Sequence, residues 1–173
     1  MERLPWLPRP LSRIASLGLS HTDQGEAMAV ERRAHATWEG DLRSGNGSFD
    51  LTSSGTITGQ PVTFASRFEP EAGGKTSPEE LIAAAHATCV SMALANGLAQ
   101  AGHPPTRLET DAVATLDQTD AGFRITKMQL TVRGEVDGID DAEFKQAAET
   151  AKEGCPVSNA LGGVEISLDA SLA

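Results

Sequence analysis

Cysteine, basic charge and long apolar runs are all scarce in this sequence, and each scarcity removes a class of protein. Two cysteines in 173 residues are too few for a disulfide scaffold; they read as structural thiols or as one functional pair. Fourteen Lys and Arg stand against 24 Asp and Glu, giving a formal charge of -10 and a pI near 4.8. A nucleic-acid partner needs a net basic face, so none is expected. No uninterrupted apolar run approaches the length of a membrane span, so no membrane partner is expected either. The sequence also lacks G-x-S-x-G, a G-x-G-x-x-G after a strand, the phosphate-binding G-x-x-x-x-G-K, C-x-x-C and any internal repeat. Those absences remove the common hydrolase, nucleotide and thioredoxin-like readings.

What is present reads as one soluble globular domain. Hydrophobic residues make up 39% and charged residues 22%, which suits one sizeable core at this length. Residues 1–27 differ from the rest. Arg3, Arg9 and Arg13 balance Glu2, Asp23 and Glu26, so the whole negative charge sits on residues 28–173. Pro5, Pro8 and Pro10 interrupt the apolar stretch that a secretory signal requires. Residues 1–27 are therefore expected to be an extension outside the fold, or the product of a start upstream of Met28. The domain is expected over 28–173.

Strand and turn signals fill residues 32–69. Ala34, Ala36 and Trp38 alternate, Gly45-Asn46-Gly47 marks a turn, and the period-two pattern predicts a strand through Val62, Phe64, Ser66 and Phe68. Ser77, Pro78 and Glu80 predict a helix start with a capping box. The helix that follows, through Ala99, carries Ala, Leu, Val or Met on nearly every side. A helix apolar all round is covered all round, and a domain of this size has difficulty covering it alone, which points to a second subunit. Strands are predicted over Leu108–Leu116 and Phe123–Val136, a capped helix from Asp140 to Lys152, and a last strand from Val164 to Leu172. Strands in runs, separated by helices, give an α+β class with antiparallel sheet.

The residues that could carry chemistry are few. Cys89 lies inside the apolar helix, where a buried free thiol is the ordinary case, and it needs a nearby cation to become a thiolate. Cys155 lies between Gly154 and Pro156 at a helix end. His86 and His103 would complete a zinc count with the two cysteines, but the close ligand pairs of such sites are missing. His86 then reads as a packed or hydrogen-bonded helix residue. Glu79 and Glu80 suit the positive end of a helix dipole, and Arg67 could be a plain surface charge. A dimeric small-molecule-binding module with structural cysteines is the alternative to a thiol enzyme.

Three stretches resemble the OsmC/Ohr family of hydroperoxide-reducing proteins: S-R-F-E at 66–69, S-P-E-E-L-I-A-A-A-H-A-T-C at 77–89, and G-C-P-V-S-N-A-L at 154–161. Ala36–Asp41 and Asp120–Phe123 resemble the OsmC branch. The resemblance implies an intertwined α+β homodimer, with antiparallel sheets around long central helices, and a cytoplasmic cysteine peroxidase acting on organic hydroperoxides in oxidative-stress defence. It implies no metal and no cofactor. By motif, Cys89 would be the peroxidatic cysteine, Cys155 the resolving one, and Arg67 with Glu79 the activating pair. Arg43 is the second candidate for that arginine, because in the Ohr branch it comes from an earlier loop. The reductant it implies is an external dithiol carried on a lipoylated protein.

Overall fold

The computed structural model describes residues 29–69 and 73–173. The extension expected over residues 1–27, and Met28, lie outside the described residues. Residues 33–173 form one unit, and its order of elements is α+β as expected.

The first sheet is a small antiparallel meander of β1 (His35–Glu39), β2 (Asn46–Asp50) and β3 (Gln60–Val62). The loop joining β1 to β2 is closed by Asp41, whose carboxylate accepts from the main-chain N–H of Arg43 at 2.8 Å and of Ser44 at 3.0 Å. The strand predicted through Phe68 stops at Val62. A single 3-10 turn, Ala65–Arg67, replaces its second half. The cause is local: the Ser66 main chain donates to the Thr63 hydroxyl at 3.1 Å, and the Ser66 hydroxyl bonds the carbonyls of Thr63 and Thr76 at 2.8 and 3.0 Å. Short hydroxyl side chains offer the backbone partners that compete with a strand ladder. The turn swings Arg67 off the expected strand and toward the first helix.

That helix, α1, runs Pro78–Gln100. The Ser77 hydroxyl accepts from the Glu80 main chain at 3.2 Å, as expected of a cap. The reciprocal half of the box is replaced, because the Glu80 carboxylate accepts from the Thr76 hydroxyl instead. At the other end Gly102 takes φ +90, and the main-chain N–H groups of Gly102 and His103 return to Ala99 and Leu98. That is a Schellman close, which glycine enters without strain.

The second sheet is built on the long hairpin β4 (Arg107–Thr119) and β5 (Gly122–Glu135), with a bulge at Thr115/Leu116. The helices α2 (Asp141–Gly154) and α3 (Pro156–Ala160) then return the chain to β6 (Glu165–Leu172). Here the expected antiparallel pattern needs a correction: β6 pairs with β5 in parallel. The α2–α3 crossover supplies the length that a parallel pair requires. Asp140 and Glu143 form a complete capping box on α2. The core lies between α1, α2 and the inner face of β5, around Val90, Leu94, Leu130, Val132 and Phe144. Gly134 admits the Phe144 ring, since a Cβ at 134 would lie 2.4 Å from it.

Within one chain only a stripe of α1 is covered: Glu79, Ala83, His86, Val90, Leu94 and Leu98. Met92 is 63% exposed. By length and mean composition α1 could also cross a membrane, although no uninterrupted apolar run suggested it. Around Met92 its outer face carries Ala84, Ala85 and Thr88, all exposed in the single chain.

Candidate active site

Two pairs of the expected site residues meet, and the two pairs stay apart. The first sits at the amino-terminal turn of α1. Arg67, on the 3-10 turn, donates from Nη2 to Glu79 Oε1 at 2.5 Å and from Nε to Oε2 at 3.3 Å. This side-on, two-pronged contact fixes the plane of the guanidinium. Glu79 is 6% exposed. Burial alone would raise its carboxyl, but the Arg67 hydrogen bonds, its own main-chain N–H and the Arg67 charge outweigh that and hold it below its ordinary value. An open groove of about 490 Å³ runs between this pair and the bulged stretch of β4, Ala112–Leu116.

The second pair is formed by the thiols. Cys89 lies near the middle of α1, and Cys155 is the residue between α2 and α3. Sixty-six positions apart in sequence, they lie close enough that each thiol acts on the other's titration. Both are free thiols. Cys155 is fully buried, while Cys89 is partly exposed. Burial raises Cys155, but the Cys89 thiol, the main-chain N–H groups of Ser158 and Val157 and the Ser158 hydroxyl bring it below its ordinary value. These groups approach the sulfur without closing a full capping hydrogen bond. Burial pushes Cys89 up, and the thiol and charge of Cys155 push it further, against the Val157 N–H.

Arg67 is not among the groups that act on Cys89. The reason is geometric: ten residues of helix separate Glu79 from Cys89, about 15 Å along the axis and about 80° around it. Arg43 is exposed in the β1–β2 loop and makes no ion pair among the described residues. His103 bonds the Asp137 carbonyl through Nδ1 at 3.1 Å, and His86 pairs with Ser158, so each histidine has a partner of its own.

The sequence reading did not give Ser158 a part. Its hydroxyl and His86 Nε2 share a hydrogen bond of 2.8 Å, buried beside the thiols. The available signal was the three-residue spacing of His86 before Cys89 and of Ser158 after Cys155, which puts His86 and Cys89 on one helical face and Ser158 at the third position of α3 after the cap residue Cys155.

The facing thiols and the Arg67–Glu79 pair sit in a chain that belongs to the OsmC-like family: a family model described as OsmC-like protein matches residues 71–169. Over 145 residues the chain is 48% identical to peroxiredoxin OsmC of Escherichia coli (strain K12), covering 84% of this chain and 99% of that protein. It is 34% identical over 98 residues to an organic hydroperoxide resistance protein of Xanthomonas axonopodis pv. citri, covering 56% and 67%. Among solved structures, the organic hydroperoxide resistance protein OhrB of Bacillus subtilis superposes with a TM-score of 0.61 at 25% identity, over 80% of this chain and 98% of that one. An OsmC-like protein of Vibrio cholerae shares the fold, with a TM-score of 0.63 at 18% identity over 82% and 99%.

Proposed function

We propose that this chain is a cysteine peroxidase that reduces organic hydroperoxides, and hydrogen peroxide more weakly, with residues 28–173 as the working domain. The observation that carries the reading is the facing thiol pair, of which one member is reachable and the other sealed. The names of the relatives, a peroxiredoxin and hydroperoxide resistance proteins, support it.

Cys89 is the peroxidatic residue, because substrate can reach it and cannot reach Cys155. Its thiolate attacks one peroxide oxygen, the O–O bond breaks, and the alkoxide takes a proton and leaves as alcohol. The product is a sulfenic acid on Cys89. Cys155, held below its ordinary value, attacks that sulfur as a thiolate. The S–S bond forms, the S–O bond breaks, and hydroxide leaves as water with the second proton. No metal or cofactor enters these steps.

Among the described residues of a single chain no cation acts on Cys89, and Arg67 is held at Glu79, ten residues before it. A second copy, with its α1 antiparallel to the first across the exposed outer face, would bring its own Arg67–Glu79 pair to this thiol. The site is then shared in a homodimer. Arg67 suits the part better than Arg43, because Glu79 orients it.

Two electrons must return from outside. A dithiol on a flexible arm, such as a dihydrolipoyl group on a carrier protein, reaches a disulfide at a subunit interface more readily than a folded thioredoxin does. Such thiol cycling suits the reducing cytoplasm and a part in oxidative-stress defence. The test is to add one equivalent of an organic hydroperoxide to the reduced protein and count thiols and alcohol. Two thiols lost per alcohol formed supports the reading. No thiol loss would make this a binding module with structural cysteines.

A further inference from the structure

His86 is fully buried, and its Nδ1 has no hydrogen-bond partner among the described residues. A buried polar atom left without a partner costs stability. The other nitrogen, Nε2, reaches across from α1 to the Ser158 hydroxyl on α3 at 2.8 Å, and Ser158 is 8% exposed. His86 precedes Cys89 by three residues, and Ser158 follows Cys155 by three. α1 and the segment from Cys155 into α3 therefore meet at two levels in opposite order, His86 beside Ser158 and Cys89 beside Cys155. The first contact is the hydrogen bond among buried side chains that ties α3 to α1 at the level of the thiols.

The direction of that bond follows from counting hydrogens. Ser158 has one hydroxyl hydrogen, and the residue lies three residues after Cys155, whose thiol it helps hold below its ordinary value. With Nδ1 the atom left without a partner, Nε2–H donating to the serine oxygen leaves the hydroxyl hydrogen free to turn to the sulfur when Cys155 is a thiolate. Nδ1 is then a bare acceptor, and an acceptor is a less costly atom to leave alone in a core than an N–H. Burial, which pushes His86 down, keeps it in this neutral form.

We propose that His86 and Ser158 are positioning residues for the resolving step: their buried hydrogen bond presents Cys155 to the Cys89 sulfenic acid and donates onward to the attacking sulfur. This rests on the peroxidase reading above. The step it governs is the second one, in which the S–S bond forms, the S–O bond breaks and hydroxide leaves as water.

The test uses the full chain, reduced, with one equivalent of cumene hydroperoxide, and follows the decay of Cys89 sulfenic acid into disulfide by mass and by a sulfenic-acid-specific trap. Ser158→Ala removes one oxygen and His86→Met removes the donor. Each should slow closure about tenfold and let sulfenic acid accumulate, and the double variant should be no slower than either alone, because both remove one interaction. Ser158→Thr keeps the hydroxyl, and His86→Gln keeps an N–H near the place of Nε2; both should close within about threefold of the parent. Parental closure in Ser158→Ala overturns the proposal. So does equal slowing in all four variants, which would mean a packing role. Absence of sulfenic acid in the Cys155→Ser protein would instead overturn the peroxidase reading and leave the cause unmistakable.

Discussion

The first turn of α1 and its middle, ten positions further on, are built in opposite ways. The first turn is made by local chemistry. Ser77, Glu79, Arg67 and Ser66 come from two nearby segments, and every charge there has its partner. The middle is assembled from segments 66 positions apart, and no cation among the described residues acts on its thiol. One region has an oriented charge and no reactive group; the other has a reactive group and no charge. On the proposed reading the two regions would make a complete site only when joined across two copies, since α1 is too stiff to fold back on itself.

The sharpest way to break this comparison is to delete the reactive group. Cys89→Ser should abolish peroxide turnover, and Cys155→Ser should consume one equivalent and stop at a sulfenic acid seen by mass. Reversal of those two outcomes would move the peroxidatic part to Cys155. Removing the charge should cost less: Arg67→Met should lower the rate of thiol oxidation by about 10²–10³, the usual scale for one electrostatic donor, and raise the Cys89 pKa, read from thiolate absorbance against pH. Mixing Cys89→Ser and Glu79→Ala chains should recover part of the parental rate in heterodimers verified by mass. No recovery would confine each site to one chain.

Stability distinguishes the regions on a smaller scale. Glu79→Ala should cost about 2 kcal/mol in a urea melt, below the range for a fully buried pair because Arg67 can rehydrate. The pair also predicts a pH dependence. Glu79 is held below its ordinary 4.5, so the stability it contributes is complete above that value and is lost as pH falls through its lower folded-state pKa. Glu79→Gln should flatten that part of the acid melt. The smallest effect is expected for Ser77→Ala, about 1 kcal/mol from the lost cap.

Much of this was legible in the sequence, for physical reasons that can be named. The starts of α1 and α2 were readable because their caps are local. The all-apolar surface of α1 foretold a helix that one chain leaves partly bare. Two things were not readable. Thr63 and Ser66 look like strand residues by alternation, yet their hydroxyls satisfy the backbone locally and turn the chain. The parallel sense of β6 depends on where α2 and α3 deliver it, which no local pattern encodes. The site divided in the same way. The family motifs marked Cys89, Cys155, Arg67 and Glu79, and the structure brought them together as two pairs. Ser158 escaped notice because its contact with His86 spans 72 positions.

The placement of Cys155 on the crossover between the parallel strands has a topological consequence. A bond from there to Cys89 would lock β4, β5 and α2 inside a covalent ring of the chain. Ring closure of that length removes denatured-state entropy equivalent to about 4 kcal/mol at 25 °C in the chain-entropy model. Oxidation would then tighten the fold that carries it out, and the melting temperature would report the redox history of the molecule. A protein caught between peroxide and reductant would be most resistant to unfolding at the moment it has just done its work.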